Sequence, residues 1–177
     1  ITSTGLNITT NITANPIVWT SLGQPAGANA CGVWSSVTGG TPTFFLQSGQ
    51  CTGAGNDAVW SYTGTSGGTW TRIDDNDGIT GGFGVFGADP TNPNRLYASN
   101  LAAAGPRMVF STDGGATWDL DPELDTLMTA DGVFAYQNQR GPRTNRNSAG
   151  VVFSGYPQPS MVAYDPDDAN IIAAGAI

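Results

Sequence analysis

Ser111-Thr112-Asp113-Gly114-Gly115-Ala116-Thr117-Trp118 is the stretch on which the reading of this chain turns. An apolar run, Met108-Val109-Phe110, precedes it, and Asp119-Leu120 continues from its tryptophan. Asp-Gly-Gly between two strand-like runs signals a tight turn, because glycine takes the positive φ that a short hairpin needs. The Asp113 carboxylate is placed to accept backbone N–H groups two or three residues on. Ser111 and Thr117 can tie the flanks of the loop, and Trp118 offers a large apolar plug where the return strand begins.

The pattern recurs upstream. Thr63-Gly64-Thr65-Ser66-Gly67-Gly68-Thr69-Trp70 lines up with this stretch to its tryptophan, with Thr65 where the first copy has Asp113. The two tryptophans are 118 − 70 = 48 residues apart, near the length of one four-stranded repeat unit. A second motif also comes twice. Asp89-Pro90-Thr91-Asn92-Pro93-Asn94 precedes the strand-like Arg95-Leu96-Tyr97-Ala98-Ser99, and Asp165-Pro166-Asp167-Asp168-Ala169-Asn170 precedes Ile171-Ile172-Ala173-Ala174.

At every signature position the octapeptide resembles the Asp-box of the bacterial-neuraminidase-repeat β-propellers. That superfamily includes sialidases, xyloglucan-type glycoside hydrolases, sortilin-like receptors and photosystem assembly factors. The resemblance implies an all-β fold: a β-propeller of four-stranded antiparallel blades with Asp-box turns, incomplete in this chain. It also implies that Ser111, Asp113, Gly115, Thr117 and Trp118 form a folding device joining the outer strands of a blade, usually remote from any active site. The remaining blades would come from a longer chain or another subunit.

On this reading the chain divides into five parts. Residues 1–30 are an N-terminal leader and the outer strand of a partial blade, and 31–73 a blade with a degenerate box. Residues 74–120 are a blade with the full box, 121–158 an insertion, and 159–177 the first half of a further blade. No segment shows sustained helical periodicity, and Leu101-Ala102-Ala103-Ala104 is stopped at once by Gly105-Pro106.

Composition narrows the function. The formal net charge is −8, with 14 acidic against 6 basic residues, so nucleic acid and anionic membrane are poor partners. No run suits insertion into a bilayer. There is no histidine, which excludes a Ser-His-Asp triad and the commonest zinc ligand. Cys31 and Cys51 are expected to form a disulfide, with two buried free thiols as the alternative. Asn7-Ile8-Thr9 and Asn11-Ile12-Thr13 are glycosylation sequons. Together these features point to an extracellular or secreted protein.

Ligand candidates lie mostly in the insertion. Arg140, Arg143 and Arg146 recur at every third residue, a spacing that suggests a carboxylate clamp. The superfamily's Arg-Ile-Pro signature is absent, and a solvated loop is the plainer reading. Tyr136 and Tyr156 are candidate stacking platforms for glycans. Asp74, Asp75 and Asp77, ahead of Gly78, have the composition of a small Ca²⁺ loop but lack its downstream bidentate Glu. An exposed acidic turn is the preferred reading there, and no cofactor is expected. No carboxylate sits in a recognisable catalytic motif, so the catalytic residues are unknown. The expected role is an extracellular structural or interaction scaffold with glycans as candidate ligands. The alternative is a piece of a secreted glycoside hydrolase, xyloglucanase-like or sialidase-like, with catalytic carboxylates partly outside this chain.

Overall fold

The computed structural model describes residues 5–25, 28, 30–48, 58–74, 83–100, 107–129, 145–146, 152–153, 159–168 and 170–176. Among them the regular elements are antiparallel strands and one short helix. β1 (Leu6–Ile8) pairs with β2 (Thr20–Gly23). β3 (Ala30–Thr38), β4 (Thr41–Ser48), β5 (Ala58–Thr63) and β6 (Thr71–Arg72) form a four-stranded sheet in sequence order. β7 (Phe83–Ala88), β8 (Leu96–Asn100), β9 (Arg107–Ser111) and β10 (Asp119–Leu120) form another with the same order. A helix, α1 (Pro122–Thr129), comes next. β11 (Asn145–Arg146) then pairs with β12 (Val152–Phe153), and β13 (Pro159–Tyr164) with β14 (Ile172–Ala176).

The helix corrects the sequence reading, which places no helix here. Its signal is present but short: Asp121 caps it by accepting the Leu124 N–H at 2.9 Å, and Pro122 follows as its first residue. Eight residues are too few to establish a period, so only the cap gives the helix away.

Alternation along the strands decides how the sheets stack. One face of the second sheet carries Phe86, Ala88, Leu96, Ala98 and Val109, which join Phe45, Val59, Ile73 and Trp118 in one buried cluster. Phe86 lies 5.1 Å edge-on from Trp34 and 5.5 Å from Phe45, so aromatic contacts bridge the two sheets. The opposite face of the second sheet buries Val85 and Met108 with Val162 of β13, and Tyr97, Leu124 and Ile172 flank them. Gly87 is required at this contact, since a Cβ there would stand 2.9 Å from a Val162 methyl.

Two further devices repeat. In the turn after β7, the Asp89 carboxylate accepts the Thr91 and Asn92 N–H groups, at 2.8 and 3.0 Å. After β13, Asp165 does the same for Asp167 and Asp168 at 2.8 and 3.0 Å, and both turns close by the Asp N–H bonding the carbonyl of the residue six on. At the start of the third strand of each four-stranded sheet, a backbone N–H is held by a buried carboxylate. Val59 N–H donates to Asp74 at 2.9 Å, and Met108 N–H donates to Asp125, on α1, at 2.7 Å. Asp74 and Asp125 thus satisfy donors that a short fourth strand leaves unpaired.

Candidate functional site: an uncovered joint between sheets

The Ser111–Trp118 loop is a closed hydrogen-bonded ring. Ser111 Oγ accepts the N–H groups of Asp113 (3.2 Å) and Gly115 (2.8 Å) and donates to Asp113 Oδ1 at 2.8 Å. Thr117 donates its N–H to Asp113 Oδ1 and its hydroxyl to Oδ2, at 2.9 and 2.6 Å. These bonds, the Thr117 hydroxyl foremost, hold the Asp113 carboxyl down at about 2. Asp113 itself is exposed, so it organises the loop from the solvent side. In the degenerate copy the Tyr62 hydroxyl takes over part of this work, accepting the Gly68 N–H at 2.9 Å.

Each loop ends in a tryptophan that ties its sheet to the one before. Trp118 is 6% exposed, and its indole N–H donates to the Ile73 carbonyl, just past β6, at 2.9 Å. Trp70 makes the corresponding bond to the Leu22 carbonyl, in β2, at 3.0 Å. The series extends one step further back. Trp19 precedes β2 as Trp70 precedes β6, and Trp19-Thr20-Ser21-Leu22 parallels Trp70-Thr71-Arg72-Ile73. The interval is 70 − 19 = 51 residues, against 48 for the next pair. Trp19, however, is 58% exposed. Its run Ile17–Leu22 is the outer strand that the sequence reading places within residues 1–30, although no box-like loop leads into it.

Trp19 stands at the rim of a groove of about 400 Å³, lined also by Ile8, Thr9, Thr10, Ser35, Val37, Pro42, Phe44 and Thr65. The floor of this groove is the face of the first sheet turned away from the second. Its residues correspond in register to a buried face one sheet on: Val33 lies opposite Leu46 and Ser35 opposite Phe44, as Phe86 lies opposite Ala98 and Ala88 opposite Leu96. Val33 is 40% exposed where Phe86 is 2% exposed. Along β3 this face is thus exposed at Val33, Ser35 and Val37, while Leu46, opposite Val33, is buried and Phe44 half-buried.

A second, smaller cavity of about 250 Å³ lies between β8, α1 and β14, lined by Tyr97, Asp121, Glu123, Leu124, Leu127, Ile172 and Ala174. The Tyr97 hydroxyl donates to Asp121 at 3.0 Å, and burial together with that carboxylate raises the phenol to about 12. Burial pushes the Tyr164 phenol up as well.

The other sequence candidates are dispersed. Asp74 is corrected as a Ca²⁺ ligand and as part of an exposed turn. It is buried, and both carboxylate oxygens are engaged at 2.9 Å by Arg72, one also by Val59 N–H. Asp75, Asp77, Cys51, Tyr136, Arg140, Arg143 and Tyr156 lie outside the described residues. Cys31 lies in β3 and Arg146 in β11, each described in its backbone only. Asn7 is half-buried in β1 and donates its side-chain amide to Gly5 O at 3.3 Å, whereas Asn11 is exposed in the loop that follows. Trp34, Tyr62 and Tyr97 pack against Phe86, Trp70 and Phe110, so these rings serve packing. Among the described residues no three His, Cys, Asp or Glu converge as a metal site, and no helix is long and apolar enough to cross a membrane. Comparison with protein-family models, with characterised proteins and with solved structures finds no match.

Proposed function

We propose that this chain is a segment of an Asp-box β-propeller, and that it acts as a non-catalytic extracellular scaffold whose uncovered sheet face is an interaction surface. One observation carries the reading. The same indole-to-carbonyl bond joins β6's neighbour Trp70 to the preceding strand pair and Trp118 to the preceding sheet. A bond repeated at a fixed place, once between the two four-stranded sheets and once between the first of them and the two-stranded β1–β2 pair, is what a blade-to-blade joint requires. No pair of carboxylates is set up for acid–base work among the described groups. Asp74, Asp89 and Asp125 are buried and bonded to backbone or arginine, and Asp113 closes its own loop.

Among the described residues, the groove beside Trp19 is lined by aromatic, aliphatic and hydroxyl groups and by no charged side chain. A neutral saccharide stacked on the indole is the small ligand that such a surface suits. The test is incubation of the protein with xyloglucan oligosaccharides and with a sialoside. Release of no reducing sugar from either, whether or not they bind, is expected. Sustained release abolished by substituting a carboxylate of this chain would replace the scaffold reading with a glycoside hydrolase.

A further inference from the structure

The Ser111–Trp118 loop encloses a chemically reactive step, Asp113-Gly114. Aspartate followed by glycine is prone to succinimide formation, because glycine sets no side chain in the way of its own nitrogen. In that reaction the Gly114 backbone nitrogen attacks the side-chain carboxyl carbon of Asp113. A carbon–nitrogen bond forms, the carbon–oxygen bond of the acid breaks, and water leaves. Water then opens the ring. Where it adds to the former main-chain carbonyl, the original peptide bond breaks and the chain runs on through the side chain as isoaspartate.

The closed loop opposes each part of this step. Asp113 is exposed, so solvent reaches it freely, but its carboxylate is pinned across the loop. Oδ1 accepts the Ser111 hydroxyl and the Thr117 N–H, and Oδ2 accepts the Thr117 hydroxyl. Turning the carboxyl carbon onto Gly114 N breaks all of these bonds. The nitrogen is committed as well, since it donates to the Asn94 carbonyl of the neighbouring turn at 3.1 Å. The bonds to the carboxylate also hold its pKa at about 2 against an ordinary 3.8. At any pH above both values this thins the reactive acid form by roughly one to two powers of ten.

We infer that Asp113-Gly114 is a latent site of spontaneous isomerisation, silent while the loop is closed, and that modification of the opened chain stops the loop from closing again. Isoaspartate adds a main-chain atom to the turn and withdraws the carboxylate from Thr117. Gly115, the second residue on, already lies so close to Ile73 that a Cβ would stand 2.9 Å from it, and the lengthened turn has no slack there. The damage therefore exceeds loss of the carboxylate alone, and long residence in the open state becomes irreversible. The protection needs only the loop's own bonds, and it holds whether or not the sheets are propeller blades.

The chain has two further Asp-Gly steps, Asp77-Gly78 and Asp131-Gly132, as internal references. Protein is aged in mildly acidic buffer, either folded or in guanidinium chloride. It is then digested with an endoproteinase that cuts before aspartate but not before isoaspartate, which reads the three sites separately. In denaturant Asp113 is expected to convert about as fast as Asp77 and Asp131, and in the folded protein at least about tenfold more slowly than in denaturant. Thr117→Val, which removes the hydroxyl from Oδ2, should speed conversion of folded Asp113 several-fold, while Gly40→Ala, outside the loop, should leave it unchanged. Conversion of Asp113 as fast in the folded protein as in denaturant, or equal acceleration in both variants, overturns the protection. For the second part, protein aged in denaturant is refolded and brought to the urea midpoint of the unaltered chain, and a brief pulse of protease digests the unfolded molecules. The survivors should be depleted of isoaspartate at 113. Survivors that carry it as often as the starting mixture overturn the block on closing.

Discussion

Replacing Trp118 by Ala is expected to destabilise the protein by about 3–5 kcal/mol. The indole is 6% exposed and stands in the cluster that joins the two four-stranded sheets, so its removal opens a cavity at their joint. It also leaves the Ile73 carbonyl without its buried donor. Urea unfolding measures the loss, and Trp118→Phe separates its two parts: the ring is largely retained, and the loss falls to about 1–3 kcal/mol, mostly the orphaned carbonyl. Trp19→Ala, at an exposed position of the same series, should move stability by no more than about 0.5 kcal/mol. Asp113→Ala belongs nearer to the mild end, because the carboxylate works at the solvent surface, where water can replace it at the Thr117 N–H.

Gly115→Ala should be the second large loss, about 2–5 kcal/mol. Gly115 has φ +89°, a conformation that costs an L side chain ~1–2 kcal/mol. The added Cβ would lie 2.9 Å from Ile73 Cβ and 3.3 Å from Trp118 Cζ2, and this overpacking adds ~1–3 kcal/mol. Gly40, in the turn between β3 and β4, is the control. Its φ is +81°, but a Cβ there meets nothing within 4 Å, so Gly40→Ala should cost the backbone share alone. Thermal or urea unfolding of both variants makes the comparison. Equal losses at the two glycines would mean that Gly115 is kept for its backbone and not for the close approach of Ile73.

Much of the strand order was legible because the turns announce themselves. Gly39-Gly40 between Val37 and Phe44, and the Asp-Pro motifs at Asp89 and Asp165, mark where the chain reverses, and the alternation between them fixes the faces. The box and its degenerate copy could be read because glycine, hydroxyl and tryptophan recur at fixed spacing. Two things escaped that kind of reading, and a third, Trp19, was read only as part of an outer strand. The α1 helix is shorter than the window a period needs, and only the Asp121-Pro122 cap marks it. Asp74 looked like part of an acidic cluster, since nothing local says that its carboxylate turns inward to Val59 N–H, a partner 15 residues away. Trp19 belongs to the tryptophan series by position alone. Its role shows only when the Trp70 bond to Leu22 reveals what a tryptophan in that place does.

That successive sheets are tied by one repeated indole-to-carbonyl bond is tested most directly by hydrogen exchange at the indole N–H groups, followed by NMR at a concentration where the protein is monomeric. Trp70 and Trp118 should exchange slowly, protected by the Leu22 and Ile73 carbonyls, while Trp19 exchanges at the rate of a solvent-exposed indole. Exchange at Trp70 and Trp118 as fast as at Trp19 would contradict the joint and the stacking of sheets built on it.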